Sequence, residues 1–297
     1  MRDIEIEILR FITSLHQPFL DQIAKVLTFL GDETFYFIII PFVYWCVSKA
    51  FGIRLLYVFL VSVYINAWFK TIFAVTRPVG YENLGINSLY VESAEVGTRF
   101  PHDSFPSGHA QGSSTLWGYI AYRVNQPIVW ILCIGLIFFI SFARLYTGVH
   151  WPTDVLAGIA LAIIIIIVCN LVEKFLTSIT DGGKIVLAIL LPIVMIALFR
   201  DPEGFSYAGF VLGAGVGYFI EKHYVGMKIP SSWLKRVLAY VIGVAGLFAL
   251  QTGLKLVFPE TAVFDGIRYT ILGLWGLWIA PVIFVFIRLY DKEKYRF

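Results

Sequence analysis

Long apolar runs recur along this chain and restrict the folds that it can adopt. Runs such as LAIIIIIVCNLV belong to segments that reach the ~20 residues a helix needs to cross a ~30 Å hydrocarbon layer. They do not alternate apolar with polar residues, as the strands of a membrane barrel do. Only 14% of the residues are charged, against about 25% in an average soluble domain. The chain is therefore predicted to be an all-α, polytopic helical membrane protein.

The apolar segments divide the chain into three predicted regions. An amphipathic, interfacial N-terminal segment is expected at residues 1–33, because its apolar residues repeat at helical spacing between charged ones. A helical core follows at 34–176, and a C-terminal four-helix membrane region at 177–297. Nine membrane crossings are predicted, at about 34–48, 53–76, 108–124, 127–147, 152–175, 184–200, 205–221, 233–258 and 268–289.

The distribution of Lys and Arg predicts an orientation. These residues gather in one set of alternating connections, which includes Lys49, Arg123, Lys174 and Lys222. By the positive-inside rule this set is cytoplasmic. The C-terminus is then cytoplasmic, and the long polar connection at 77–107 faces away from the cytoplasm, most simply at the plasma membrane. The net charge of +3 is too small to indicate nucleic-acid binding, so membrane lipids are the expected surroundings.

Glycines are spaced four residues apart in the C-terminal region, at Gly209, Gly213 and Gly217. Small residues on one helix face allow two helices to approach closely. The spacing has two interpretations, which are packing between helices of one chain and a homodimer through the glycine-rich helices.

Charged and titratable side chains gather in three separate segments at the outward ends of predicted spans. The stretch FKTIFAVTRP places two cations seven residues apart, which predicts one face of one helix. FPSGHAQ places a histidine at the start of a span, and ARLYTGVHWPTDV supplies a third cation, a histidine and a carboxylate. Ionisable groups near the membrane are costly and tend to mark functional sites. The candidate residues are Lys70, Arg77, His109, Arg144, His150 and Asp154.

Three cations, two histidines and one carboxylate suit phosphoryl transfer. The cations and the backbone N–H groups of a helix start would hold phosphate oxygens. One histidine would attack phosphorus, the other would protonate the departing oxygen, and the carboxylate would orient the attacking imidazole. A metallophosphatase would offer carboxylates instead of cations, so no metal and no cofactor are expected.

Three ordered motifs of the chain resemble the signature motifs of the type 2 phosphatidic acid phosphatase (PAP2) superfamily. The resemblance covers roughly residues 30–175. The motifs are Lys70 with six residues before Arg77–Pro78, then Pro106–Ser107–Gly108–His109, then Arg144 with five residues before His150 and three more before Asp154.

The resemblance implies a role for each matching residue. His150 is implied as the nucleophile that forms a phosphohistidine, Asp154 as its partner and His109 as the general acid. The family usually has Ser before the Arg of the third motif, whereas this chain has Ala143, so one hydroxyl contact is missing. The implied phosphate-binding residues are Lys70, Arg77, Ser107, Gly108 and Arg144.

The expected substrate is a phosphorylated lipid, because the site lies at the bilayer surface beside apolar helices. Phosphatidate, a sphingoid phosphate and a polyprenyl diphosphate all fit. The stretch LGDETFYFIIIPFVYWC resembles sphingosine-phosphate phosphatases, whereas nine crossings are similar to the architecture of glucose-6-phosphatases. Three alternatives stay open, namely a sugar-phosphate phosphatase, a lipid phosphotransferase that uses the same phosphohistidine, and a transporter of lipid or phosphate.

Overall fold

The computed structural model describes residues 2–81, 83–89 and 99–293. Within these ranges the chain is almost entirely helical, and the strands are one antiparallel pair, β1 (Met227–Lys228) and β2 (Asp291–Lys292). The predicted all-α class is confirmed. Residues 82 and 90–98 of the predicted outward connection lie outside the described residues, as do residues 294–297 at the end of the C-terminal region.

The chain forms two compact units. The first contains Met1–Tyr36 and Val61–Leu171, and the second contains Phe37–Leu60 and Val172–Phe297. This division differs from the three predicted regions, since the N-terminal segment joins the unit that holds the candidate site. Residues 37–60 of the predicted core instead join the C-terminal residues.

The first unit contains seven helices in whole or in part. They are α1 (Arg2–Thr13), α2 (Pro18–Phe29), the start of α3 (Glu33–Phe42), the C-terminal part of α4 (Lys49–Phe73), α5 (Gly108–Val124), α6 (Pro127–Tyr146) and most of α7 (Pro152–Leu176). The second unit contains α3 (Glu33–Phe42) from Phe37 onward, the start of α4, α8 (Asp181–Leu198), α9 (Pro202–Ile220), α10 (Trp233–Val257), α11 (Ala262–Leu274) and α12 (Ala280–Phe286). Helices α3, α9 and α11 each run into a π-helical turn, at Val43–Val47, Glu221–Val225 and Trp275–Ile279.

The predicted number of nine crossings is too high for the helices that the structure describes. Helix α5 is only 17 residues long and buries hydroxyl side chains, and α9 is rich in glycine, so neither meets the requirements of length and apolarity. A seventh span exists if the bent pair Pro18–Phe29 and Glu33–Val47 forms one broken crossing. The six segments that are long and apolar enough are Lys49–Gly80, Pro127–Tyr146, Pro152–Leu176, Asp181–Leu198, Trp233–Val257 and Ala262–Phe286.

Helices α1 and α2 are amphipathic and pack one side against α6. Ile12 and Ala24 form a buried cluster with Ala143 and Tyr146 of α6. This packing determines where the polar side chains of α1 and α2 point. The location of the two helices in the membrane surface stays a prediction. The opposite side leaves large apolar residues exposed, which are Ile4, Ile8, Phe11, Leu15, Phe19, Ile23 and Val26.

The glycines of α9 face α11 within the second unit. A Cβ atom on Gly209 would lie 2.1 Å from the backbone oxygen of Gly266, and one on Gly213 would lie 2.0 Å from that of Thr270. Only residues without a side chain permit this contact between backbones. The interpretation as packing within one chain therefore holds at these positions, and a homodimer would need another face.

Candidate active site

Lys70 and Arg77 are brought together, but not by the helix that the spacing predicts. Helix α4 ends at Phe73, Ala74 has a positive φ of 43°, and Arg77 is extended with φ −67° and ψ 156°. The following Pro78 explains this, because proline disfavours the helical conformation of the residue before it. The prediction that both cations share a helix face is therefore wrong, although both reach the same site.

The second motif forms the N-terminus of α5. Ser107 is the N-cap residue, and its hydroxyl accepts a hydrogen bond from the backbone N–H of Ala110 at 3.5 Å. Gly108 begins the helix, and a Cβ there would lie 3.2 Å from Asn66 Oδ1 and 4.0 Å from Lys70 Cε. The glycine thus allows the N-terminus of α5 to lie directly against the end of α4, beside the cation of Lys70.

A buried polar network holds α4 and α5 in this arrangement. The amide of Asn66 donates to Gln111 Oε1 at 2.8 Å, and the amide of Gln111 donates to the backbone oxygen of Ser62 at 2.8 Å. The hydroxyls of Ser62 and Thr115 are 2.8 Å apart. Buried polar groups with satisfied hydrogen bonds specify one arrangement, so this network fixes the position of the α5 N-terminus.

The third motif runs from the end of α6 to the first turn of α7, and its side chains are buried. Arg144 is fully buried, and His150 and Asp154 are each 1% exposed. The Oδ2 atom of Asp154 lies 3.6 Å from Nδ1 of His150. It also accepts hydrogen bonds from the backbone N–H of Trp151 at 2.9 Å and from the hydroxyl of Ser104. These bonds fix the carboxylate beside the imidazole.

Asp103 connects the two cations of the first motif. Its carboxylate accepts two hydrogen bonds from Arg77, at 2.7 Å from Nε and 2.9 Å from Nη2, and lies 3.5 Å from Lys70 Nζ. Burial opposes ionisation of Asp103, but the hydrogen bond from Arg77 and the charge of Lys70 outweigh it and lower its pKa to about 2. No sequence motif identifies Asp103, since an acidic residue in a polar loop has no distinctive local signal.

His150 is influenced by burial and by the charges of three cations. Burial lowers the pKa of His150 well below its ordinary value, and the charges of Arg77, Arg144 and Lys70 lower it further. The imidazole is therefore neutral at pH 7, which is the form that a nucleophile requires. His109 is a further neighbour, and its buried Nε2 has no hydrogen-bond partner in the part of the chain that the structure describes.

Two residues of the N-terminal helices also reach the site, and neither belongs to a motif that could be recognised in the sequence. Thr28 of α2 accepts a hydrogen bond at 3.0 Å from Nη1 of Arg144, which is 116 residues away in the chain. Glu5 of α1 accepts from the backbone N–H and the hydroxyl of Thr153, at 3.0 and 2.7 Å. Glu5 thus satisfies an N–H group at the start of α7, one residue from Asp154.

The packing of α2 on α6 also bears on Ala143, where the family usually has serine. The Ala143 methyl is 2% exposed and packs in the apolar cluster with Ile12 and Ala24. The hydroxyl contact to Arg144 comes from Thr28 on the neighbouring helix. A small apolar residue at position 143 and a hydroxyl at position 28 are therefore parts of one helix contact.

The charges at the site suit an anion. Lys70, Arg77 and Arg144 supply three cations, and the start of α5 adds the positive end of a helix dipole. Among the described residues, no group of three or more His, Cys, Asp and Glu side chains is arranged to hold a metal ion.

Two family profiles match the chain. The profile described as the PAP2 superfamily matches residues 51–177, which include all the predicted site residues. The profile described as the transmembrane extension of PAP2 superfamily phosphatases matches residues 205–292.

Similar proteins are phosphatases by name. The undecaprenyl-diphosphatase of Sulfolobus acidocaldarius is 34% identical over 37% of this chain and 50% of its own length. The probable sphingosine-1-phosphate phosphatase of Dictyostelium discoideum is 27% identical over 73% of this chain and 57% of its own length. A solved transmembrane PAP2-type phosphatidylglycerolphosphate phosphatase from Bacillus subtilis aligns over 60% of this chain and 89% of its own, with 22% identity and a TM-score of 0.49.

The matched region is about half or a little more of the length of these two curated relatives. The three motifs occur in order within the first profile, and the second profile covers helices of the C-terminal unit. This chain therefore belongs to the PAP2 superfamily and carries its transmembrane extension.

Proposed function

We propose that this protein is an integral-membrane phosphatase that hydrolyses a phosphorylated lipid through a phosphohistidine at His150, without a metal ion. The observation that carries the proposal is the environment of His150. Its neutral imidazole presents Nδ1 to Asp154 and is surrounded by the charges of Lys70, Arg77 and Arg144.

The first step is binding of the phosphate group. Lys70, Arg77 and Arg144 stabilise its negative charge, and the N-terminus of α5 directs backbone N–H groups at it. Gly108 leaves room for the phosphate because it has no side chain, and Ser107 can contribute its hydroxyl as a donor.

The second step transfers the phosphoryl group. Nε2 of His150 forms a bond to phosphorus while the bond from phosphorus to the lipid oxygen breaks. His109 gives its proton to that oxygen, so that a lipid monophosphate leaves as an alcohol and a lipid diphosphate leaves as the monophosphate. In this step the carboxylate of Asp154 accepts a hydrogen bond from Nδ1–H of His150, which selects the tautomer with a free Nε2 and stabilises the positive charge that develops on the ring.

The third step regenerates the enzyme. A water molecule attacks phosphorus, the bond to Nε2 breaks, and His109 takes the proton from water. Inorganic phosphate then leaves the cations. An acceptor alcohol in place of water would give phosphotransfer by the same residues, and so the test must follow where the phosphate goes.

A lipid substrate is supported by the location of the site residues. Lys70 lies at the end of α4, Arg144 near the end of α6 and Asp154 at the start of α7, and each of these helices is long and apolar enough to cross a membrane. A phosphate held at these helix ends has apolar helix surface beside it for an acyl or polyprenyl chain. The relatives named above are phosphatases of polyprenyl diphosphate and sphingoid phosphate.

The test is a phosphate-release screen with full-length protein in detergent. The substrates are phosphatidate, sphingosine 1-phosphate, a polyprenyl diphosphate, phosphatidylglycerophosphate and glucose 6-phosphate, each with the His150→Ala variant as the control. We expect release from at least one lipid by wild type alone, with the same rate in excess chelator.

The other outcomes separate the alternatives. Release from glucose 6-phosphate alone would indicate a sugar-phosphate phosphatase, and phosphate recovered on a lipid acceptor would indicate a phosphotransferase. Movement of phosphate or lipid across vesicles without any release would indicate a transporter. Activity that is lost in chelator and restored by magnesium would contradict the metal-free mechanism.

A further inference from the structure

Asp103 lies between two cations that the proposed mechanism uses for phosphate. Its carboxylate makes a bidentate pair with Arg77, through Nε and Nη2, and faces Lys70 Nζ at 3.5 Å. The side chains of all three residues are largely buried, with 14% of Asp103, 5% of Arg77 and 14% of Lys70 exposed. An ion pair with this exposure is screened little by water.

The two cations need an external group to hold them together. Lys70 is carried by the last turn of α4, whereas Arg77 follows the helix on an extended segment. Their long side chains have several rotatable bonds, and their like charges repel each other at short range in a poorly solvated site. A carboxylate that binds both removes this repulsion and fixes the plane of the guanidinium, because a bidentate pair has a defined geometry.

Asp103 is itself rigidly placed. The backbone N–H of the next residue, Ser104, donates to the backbone oxygen of Val75 at 2.9 Å, and Arg77 N donates to the backbone oxygen of Pro101 at 2.9 Å. The two segments are thus bonded to each other on both sides of the ion pair. The hydroxyl of Ser104 binds Asp154, so adjacent residues of one loop contact the cations and the partner of the nucleophile.

We infer that Asp103 is a positioning residue of the phosphate site, which holds Arg77 and Lys70 in the arrangement that receives the phosphate oxygens. The inference rests on the proposed function. Asp103 does not contact the reacting atoms; it acts through the two cations. Its carboxylate stays ionised through the pH range of enzyme assays, because its pKa is lowered to about 2.

A different role for Asp103 predicts the opposite result. If the carboxylate only occupied the place of phosphate in the empty site, it would compete with the ligand, and its removal would strengthen anion binding. If it positions the cations, its removal weakens anion binding even though the site becomes more positive. The sign of the change in affinity therefore decides between the two roles.

The experiment measures binding of orthovanadate and inorganic phosphate to the detergent-solubilised full chain by calorimetry, together with kcat and KM. Asp103→Asn keeps the shape of the side chain but removes its charge, and Asp103→Glu keeps the charge at a longer reach. Asp265→Asn is the matched control, since Asp265 pairs with Arg268 at 2.6 Å in the other unit.

We expect Asp103→Asn to weaken vanadate binding about tenfold or more and to lower kcat/KM at least as much. The affinity of Asp103→Glu for vanadate should lie between those of wild type and Asp103→Asn. Asp265→Asn should bind vanadate with wild-type affinity. Tighter or unchanged vanadate binding by Asp103→Asn would overturn the inference. If Asp103→Asn does not fold, Asp103→Glu decides, because wild-type affinity in that variant would also overturn it. A wild type that neither binds vanadate nor releases phosphate would instead refute the proposed function.

Discussion

His150 is buried and His109 is half-buried, and their contacts differ. His150 has Asp154 on its Nδ1 side. The Nε2 atom of His109 has no hydrogen-bond partner among the residues that the structure describes, which leaves it available to an incoming substrate oxygen. The proposed mechanism gives them two roles that act at different moments, attack on phosphorus by His150 and protonation of the leaving group by His109.

Substitution of the two histidines should therefore have different effects. His150→Ala removes the proposed nucleophile, so hydrolysis of every substrate should fall to background. His109→Ala removes only the acid, so p-nitrophenyl phosphate, which has a good leaving group, should retain more of its rate than a lipid phosphate, whose rate should fall by about 10²–10⁴. The kcat/KM of Asp154→Asn should lie between those of the two histidine variants. The measurement is kcat/KM of each variant on both substrates.

Trapping of the intermediate provides an independent check of this assignment. Wild-type protein quenched during turnover should carry an acid-labile, base-stable phosphate on His150. Phosphate found on His109 would indicate that the two histidines have the opposite roles. Full activity in His150→Ala would contradict the assignment of His150 as the nucleophile.

At the scale of helices, the N-terminal pair α1 and α2 forms part of the site. Glu5 caps the start of α7, and Thr28 binds Arg144, while Ile12 and Ala24 pack against α6. The apolar cluster holds the two helices against α6. The two polar contacts link them to Arg144 and to the start of α7. Displacement of α2 would therefore alter the orientation of Arg144.

Thr28→Val tests this contact, because it removes the hydroxyl and retains the shape. A hydrogen bond to a charged group contributes about 1.5–3 kcal/mol, so we expect kcat/KM to fall by about tenfold or more. Thr270→Val is the control, since the Thr270 hydroxyl bonds to the backbone of its own helix at 2.8 Å. Equal activity in the two variants would mean that Thr28 does not orient Arg144.

Helices α9 and α11 depend on glycine for their contact. Alanine is normally a better helix former than glycine, so Gly→Ala at an open position should raise stability slightly. Among the described residues, no atom lies within 4 Å of a Cβ added to Gly253 of α10. A Cβ added to Gly213 would clash with the backbone oxygen of Thr270. We expect Gly213→Ala to lower the melting temperature in detergent by several degrees, with a cost of about 1–3 kcal/mol, and Gly253→Ala to leave it unchanged or higher.

At the scale of the whole molecule, the charge pattern predicts which side of the membrane the site faces. The charge pattern places the connection that contains Asn87 away from the cytoplasm and the one that contains Ser231 in the cytoplasm. Five helices, α5 to α9, lie between these two positions, and the number of crossings is odd if α5 and α9 both cross or if neither does. The two connections are therefore expected on opposite faces.

Thiol labelling in whole cells tests this orientation. Cys46, Cys133 and Cys169 are first replaced to give a cysteine-free background. A cysteine at exposed Asn87 should then react with an impermeant reagent in intact cells. A cysteine at exposed Ser231 should react only after the membrane is opened. The opposite pattern would place the site on the cytoplasmic face.

The membrane-spanning, all-helical class of this protein could be predicted from its sequence because it depends on local properties. An apolar run must bury its backbone polar groups in a helix wherever it lies in the membrane. The three motifs were equally local, since each places its polar residues within one short segment at a helix end. The prediction that Lys70 and Arg77 share a helix face was wrong, because Pro78 disfavours the helical conformation of Arg77.

The tertiary structure alone decided which distant side chains meet. Asp103, Thr28 and Glu5 belong to segments with no motif, and their partners lie far away in the sequence, so no spacing rule relates them. The same holds for Gly209 and Gly213, whose spacing fits contact with a second chain as well as with α11. Sequence periodicity determines which face of a helix is apolar or lined by small residues, whereas the packing of the whole chain determines what that face contacts.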